Sequence, residues 1–368
     1  MEHDQIVASL RLALDREAAR HEVSPGAWCR IERRLHRQTW RRSAIAAACV
    51  AIIAAAAAAT LYLWHTIPGP AASPPHPRPA PQLVIAGRTH LGPGVTHLAT
   101  GFGGVWVIGS GVVHRTDPAT AKTVATIPAP GTGELSHIAT GAGAVWATSD
   151  ERGHVGVYRI DPRHNRVTSF IRVQPNPTGI TVAYGRVWVT EPKPGPGIVV
   201  RIDPRTGRVS GPPIRVGTGA SKIVAGSGAL WVTNGNGNGS VSRINPATGV
   251  VTRTLVNIPD VGAVGAGSLW VTGNHGGIQR VDPATGQVTA TIHLPNPVGV
   301  IFWAGLAWVS VEPPGTLVRI DPASNRIVGK PAPAGTSPIY IAAGPSGLWV
   351  IDFTTGDLLH LAFASAVR

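Results

Sequence analysis

From residue 83 to the C-terminus, short apolar runs alternate with glycine, proline and polar stretches, and the runs come in sets. The set around Trp146 reads "HIATGAG", "VWAT", "VYRID" and "VTSFIRV": four brief segments rich in β-branched and aromatic residues, each bounded by turn residues. This pattern predicts strands. "GGVWVIG" around Trp106 is echoed around Trp146, Trp188, Trp231, Trp270, Trp308 and Trp349, at spacings of 40, 42, 43, 39, 38 and 41 residues. Four strands repeated with a period near 40 predict a β-propeller, and seven tryptophans predict seven blades.

The turns between the third and fourth strands of each unit are specific. "VYRIDPRHNRVTSFI", "VVRIDPRTGRVSGPP", "VSRINPATGVVTRTL" and "LVRIDPASNRIVGKP" share an Asp/Asn-Pro hairpin loop, with weaker copies from Val113 and Ile278. Asp or Asn caps such a loop, Pro fixes φ, and the last residue takes positive φ. That residue is Gly207, Gly249, Gly286, Asn165 or Asn325, all tolerant types, but Ala121 in the first copy, which predicts strain or a different loop there. Arg115, Arg159, Arg201, Arg243, Arg280 and Arg319 recur two residues before the Asp or Asn, and period-two geometry predicts local Arg–Asp pairs. The seventh unit, ending "GDLLHLAFASAVR", lacks a fourth strand, whereas "PQLVIAG" (residues 81–87) is a strand to spare. The expected fold class is therefore all-β: a seven-bladed propeller of four-stranded blades over residues 83–368, closed by its N-terminal strand. Each Trp is expected to pack between blades.

The first 82 residues show another pattern. Ser43 to Trp64 is uncharged, "SAIAAACVAIIAAAAAATLYLW", and long enough as a helix to cross a bilayer core. Trp40, Tyr62 and Trp64 flank it at the positions of an aromatic belt. Every Arg of the first 64 residues precedes it, with Arg41 and Arg42 adjacent, and the next is Arg78. These features predict a single transmembrane helix over 43–64, with residues 1–42 in the cytoplasm and the propeller on the extracytoplasmic side of the cell membrane. A cleaved signal peptide is the alternative, against which stand the length of the basic leader and of the apolar run. Residues 1–42 read as a basic helical stem resting on headgroups, or as a docking site for a cytoplasmic protein partner. Residues 65–82 form a proline-rich linker, an extended spacer that lifts the repeated region off the membrane.

The formal net charge is +13, of which the chain after residue 64 carries +10 through 23 Lys/Arg against 13 acids. Much of it belongs to the repeat and is distributed around the ring. On an exported domain it suits anionic envelope or membrane surfaces, and nucleic acid is not expected as a partner. Cys29 and Cys49 lie outside the repeat, which therefore has no disulfide framework.

The units "AVWATSDERGHVGVYRIDPRHNRVTSFIRV" and "LWVTNGNGNGSVSRINPATGVVTRTLVNIPD" resemble those of YVTN-type β-propellers, and are similar to the propeller of the virginiamycin B lyase family. The resemblance covers residues 83–368. It implies a seven-bladed fold and, through the lyases, a magnesium-dependent activity resting on acid and His positions. Those positions are not matched residue by residue in this chain.

A propeller's usual site is the mouth of its central channel, where the loops entering the first strands and those joining second to third strands converge. Unrepeated polar residues there are the candidates. The ligand-binding candidates are His97, Glu134, His137, Glu191, Asn234, His275, Glu312 and Asp352; Lys222 and Tyr340 lie on the same loops. The "NGNGNG" run beginning at Asn234 reads as a flexible turn. No ligand spacing points to a metal and no catalytic residue is assigned. The reading is of a binding module for an unknown small-molecule or protein ligand, with no cofactor. The alternative is a lyase or hydrolase using a divalent cation such as magnesium, favoured if two carboxylates and a His converge at the mouth.

Overall fold

A computed structural model describes residues 82–364, apart from 132–133, 152, 174, 236–238, 259 and 273–275. The stem, the apolar segment 43–64 and the linker before Gln82 lie outside the described residues. Among the described residues, no helix is long and apolar enough to cross a membrane.

The strands form seven antiparallel sheets, one per Trp unit. Blade 1 runs Leu98–Gly101, Gly104–Ile108, Val112–Thr116 and Thr123–Pro128 from the inside out, and blade 2 runs Leu135–Gly141, Ala144–Glu151, His154–Asp161 and Arg166–Arg172. Blades 3 to 7 begin at Ile180, Ala220, Asp260, Pro297 and Pro338. In blades 3 and 6 the outermost strand is broken in two, at Arg208–Val209 with Ile214–Thr218 and at Arg326–Ile327 with Ala332–Pro333. Each innermost strand packs on the next, and Pro338–Gly344 returns to Leu98–Gly101 to close the ring.

The seventh blade takes its outer strand from the N-terminal side, as expected. Leu83–His90 pairs antiparallel with Asp357–Phe363, from Leu83↔Phe363 to His90↔Asp357. The pairing is fastened at both ends: the Ala364 N–H donates to the Gln82 carbonyl, while Arg88 and His90 reach the buried Asp357 carboxylate at 2.9 and 2.8 Å. Gly87 marks a register shift in this strand, and a Cβ there would lie 2.7 Å from Cβ of Ala121. The closing strand is thus seated against the turn between the third and outer strands of blade 1, where the Thr89 hydroxyl donates to the Ala121 carbonyl.

The core is a set of gaps between blades. All seven tryptophans are at most 1% exposed. Trp146 lies among Val187, Val189 and Ile202 of blade 3, and Trp349 among Val105 and Val107 of blade 1. Six indole N–H groups donate to a carbonyl five residues earlier, as Trp106 Nε1 does to Gly101 (2.9 Å). Each such side chain buries a large apolar area and meets its one polar need locally.

Of the two expectations about the turns between third and outer strands, the strain at Ala121 is found and the Arg–Asp pairs are corrected. Ala121 takes φ = 53° in the same loop as its glycine and asparagine counterparts, with its N–H donating to the Asp117 carbonyl. The loop is kept and the methyl-bearing residue is forced into left-handed backbone. Among the described residues Arg115, Arg159, Arg201 and Arg280 form no ion pair with the Asp two residues on. Asp117 accepts the backbone N–H groups of Ala119 and Thr120, and Asp282 those of Ala284 and Thr285. The arginines stand directly across the ladder from the tryptophans, and five guanidinium groups lie over the indoles at 5.1 to 5.9 Å. Arg115 continues to the Pro162 carbonyl and Asn165 Oδ1 of blade 2, and Arg280 to the Pro322 carbonyl and Asn325 Oδ1 of blade 6. Directly opposed residues have Cβ atoms about 5 Å apart, closer than two residues along one strand. In blade 7 the arginine is replaced by His360, stacked on Trp349 at 4.4 Å and 9°.

Candidate functional site at the channel mouth

The innermost strand of every blade enters from one end of the ring, the upper end, one rung before pairing with its Trp strand. Ala99, Ala139, Thr181, Val224, Ala263, Ile301 and Ala342 are the partners of the seven tryptophans. Two residues earlier, at one level of the mouth, stand His97, His137, Gly179, Lys222, Val261, Gly299 and Tyr340. The repeat that writes one residue seven times at the Trp level writes almost a different one in each blade here.

Backbone crowding explains the glycine at 179. Its N–H donates to the Ser221 carbonyl of blade 4, and a Cβ would approach that oxygen to 2.3 Å. Thr178 and Thr190 hydroxyls converge on the same carbonyl. Blades 3 and 4 are thus laced together at the mouth, leaving no room for a side chain.

Blades 7, 1 and 2 instead bring three rings together. His97 lies 4.0 Å from His137 and 4.4 Å from Tyr340, centroid to centroid, both tilted. Neither ring nitrogen of His97 has a hydrogen-bond partner among the described residues, and both are buried. Burial, the neighbouring His137 and the Lys222 charge hold the His97 imidazole well below its ordinary pKa. Burial, then Lys222, pushes His137 down to about 3. Both rings are therefore neutral at physiological pH. Lys222 comes from blade 4 and pairs with Asp260 of blade 5 at 2.9 Å, Asp260 also accepting from the Thr233 hydroxyl. The mouth presents two neutral imidazoles, a phenol and one ammonium–carboxylate pair: hydrogen-bonding capacity and ring surface, with little net charge.

The remaining candidates do not join this group. Glu191 ends the Trp strand of blade 3, 1% exposed, with neither carboxylate oxygen partnered among the described residues. Desolvation raises its carboxyl to about 7, Lys193 drawing it down in part. Asn234 stands at the equivalent place in blade 4, its amide N–H groups held by the Ser240 and Ser242 hydroxyls. Asp352, its counterpart in blade 7, is used by its own loop. It accepts the N–H of Thr336, Ser337 and Thr354 and the Thr336 hydroxyl. Burial raises the Asp352 pKa, and these bonds outweigh it to leave the group lowered. Glu134 is exposed on its loop, Glu312 is half-buried at the upper end of blade 6, and His275 lies outside the described residues. Among the described residues no three His, Cys, Asp or Glu side chains come together as a metal set. Tyr340 and Lys222 are visible in the sequence only as loop residues; what marks them is register against the Trp, which emerges once the strands are aligned.

The architecture defines the chain as a seven-bladed β-propeller. No protein-family model and no curated protein sequence matches it. Among solved structures it is similar to a catalytically inactive histidine-to-alanine variant of virginiamycin B lyase from Staphylococcus aureus with quinupristin. That likeness has a TM-score of 0.63 and 20% identity, covering 77% of this chain and all of the other (100%). It is also similar to Kuenenia stuttgartiensis hydrazine synthase, with a TM-score of 0.61 and 14% identity, over 74% of this chain and 96% of that one. At these identities the likeness is one of fold, a fold consistent with a binding module.

Proposed function

We propose that the propeller is a ligand-binding module held outside the cytoplasm by a single transmembrane helix at residues 43–64, with residues 1–42 left inside as a basic stem available to a cytoplasmic partner. The ligand docks at the channel mouth on Tyr340, His97 and His137, with Lys222–Asp260 across from them. The observation that carries this reading is His97. An imidazole whose two nitrogens are buried and unpartnered among the described residues leaves a donor and an acceptor unsatisfied, a standing cost that a ligand bearing both groups removes. The rings on either side supply flat apolar area for the rest of such a ligand.

The test is untargeted enrichment of small molecules on the purified full chain in detergent, read by mass spectrometry. It is run beside a His97→Phe/His137→Phe double variant that keeps ring volume and removes the nitrogens. Compounds retained by the natural chain and lost by the variant support the proposal; identical profiles overturn it.

A lyase-like reading draws support from the virginiamycin B lyase neighbour, whose solved variant lacks a histidine and is described as inactive. His97 and His137 are the histidines that meet at the mouth of this ring. Two converging carboxylates, the other half of a cation site, are not found beside them among the described residues. A magnesium-dependent rise in melting temperature, abolished in the double variant, would favour this reading over simple binding.

A further inference from the structure

The repeats distribute their six recurring arginines around the ring, but they set these six toward one end. Third strands finish and outer strands begin at the lower end, opposite the mouth, and the exposed Lys122, Arg163, Arg166, Arg205, Arg208 and Arg326 all lie there with the six recurring arginines. The acids of this end, such as Asp117 and Asp282, are tied to backbone N–H groups within the turns. At the upper end Arg88, Arg172, Lys193, Arg215 and Lys222 are outnumbered by acids, among them Glu134, Asp150, Glu151, Asp260, Glu312, Asp352 and Asp357. The molecule therefore has a basic lower face and a more acidic upper one.

Most of the exposed large apolar side chains lie toward the same lower face, Val256 and Phe353 standing instead at the upper end. Phe102 and Tyr184 are 42% and 47% exposed at the turns between first and second strands, each with φ = 52°. Sibling turns use Ala142, Ser227, Ala266 and Ala304 there. An exposed aromatic ring in left-handed backbone is disfavoured twice over, by sterics and by hydration. Val124, Val209, Val288 and Ile327 add exposed apolar side chains where the outer strands begin. A cleft of about 750 Å³ between the lower ends of blades 1 and 2 is lined by Phe102, Arg115, Arg159, Arg163 and His164. Arg159 Nε in it is buried without a partner among the described residues.

The chain also enters at this end. Leu83 pairs with Phe363 at the lower rim of blade 7, so the described chain begins at the basic face. At about 3.1 Å per residue a proline-rich linker of the length of residues 65–82 spans some tens of ångströms, enough both to stand the ring off a bilayer and to let the face come down onto it.

We propose that the lower face of the propeller lies against the anionic headgroups of the bilayer that holds residues 43–64, with arginines on phosphates, Phe102 and Tyr184 at headgroup level and the channel mouth turned to the aqueous side. This rests on the anchored, exported reading above. Charge complementarity selects the headgroups, and attraction of this kind fades beyond a Debye length of about 8 Å, so a docked and a stood-off ring are distinguishable states.

The full chain is reconstituted in vesicles of phosphatidylcholine alone or mixed with phosphatidylglycerol, and arginines are labelled with phenylglyoxal and read by peptide mass. Docking predicts that Arg163 and Arg205 label about fivefold more slowly on the anionic vesicles, recover at high salt, and are less protected in a Phe102→Ser/Tyr184→Ser variant. Arg172 and Arg215, at the upper end, label equally on both. Equal rates for all four on both vesicles overturn the proposal. Flotation reads the anchor separately. A chain that floats with neither vesicle defeats anchor and docking together; one that floats only with anionic vesicles, and loses this in salt, defeats the anchor and supports the docking.

Discussion

The two ends of this ring are built under different rules. At the lower end the same interactions recur blade after blade: an indole bonded to a carbonyl behind it, a guanidinium over the indole, and an Asp or Asn folded back onto its turn. At the upper end one level of the mouth reads His, His, Gly, Lys, Val, Gly and Tyr around the seven blades. Among the described residues the lower end leaves single guanidinium Nε atoms unpartnered, at Arg115, Arg159 and Arg201, whereas the upper end leaves both nitrogens of His97 and both carboxylate oxygens of Glu191 wanting. Repetition satisfies the fold, and where the chain departs from repetition it accepts costs that the fold does not require.

The sharpest way to break the lower-end pattern is to open the ring. Deleting residues 82–90 exposes the edge of Asp357–Phe363 and empties the sites of Leu83, which is 2% exposed, and of the Asp357 partners Arg88 and His90. Losing a whole buried-edge strand removes more than the ~5–15 kcal/mol that holds a domain folded. The expected outcome is loss of the cooperative melt by circular dichroism; a melting temperature within a few degrees of the natural chain would show that blade 7 stands without its borrowed strand.

The upper-end pattern is tested by removing one of its costs. Glu191 binds its proton more tightly folded, at about 7, than its ordinary value of 4.5. The unfolded chain therefore holds fewer protons between these values, and stability falls as pH rises from about 4.5 to about 7, then levels off. Glu191→Gln keeps the shape and cannot ionise. It is expected to stabilise the chain by up to about 3 kcal/mol at pH 8 and by nothing measurable at pH 4, read as the difference in melting temperature across a pH series. A gain independent of pH would mean that the carboxylate's charge is not the source of the cost.

How far each end is legible in the sequence depends on the same contrast. The period of the tryptophans fixes the blade number, the orphan strand before residue 90 fixes the closure, and Asp-Pro with a positive-φ residue fixes the lower loops, because each is written several times or answers an evident vacancy. The partner of the recurring arginines is not legible: along the strand the nearest acid is two residues away, but across the ladder the Trp is nearer, and sequence alone does not display the ladder. At the mouth His97 and His137 are marked by being unrepeated, yet so are Asp352 and Asn234, which the fold occupies in local hydrogen bonds. Nothing in their local sequence separates a group bonded by its own loop from one left open; that depends on where neighbouring blades bring their backbone.

The smallest effect concerns how one blade is joined to the next. Arg115 stacks on Trp106 and donates to the Pro162 carbonyl and Asn165 Oδ1, both at 2.9 Å, thereby tying blade 1 to the turn of blade 2. Arg243 stacks on Trp231 but donates to Thr252 of its own outer strand, at 2.7 Å. Lysine carries the same charge without the planar fork, so it loses both the stack and the paired bonds. Arg115→Lys is expected to cost about 1 kcal/mol and Arg243→Lys less than half of that, because the exposed Thr252 bond is readily replaced by water. Thermal melts of the two variants side by side measure the difference. Equal losses would assign the value to the stack alone, which both arginines share, and would remove the Asn-closed turns as interblade ties; a larger loss at Arg115 places part of the ring's cohesion in those turns.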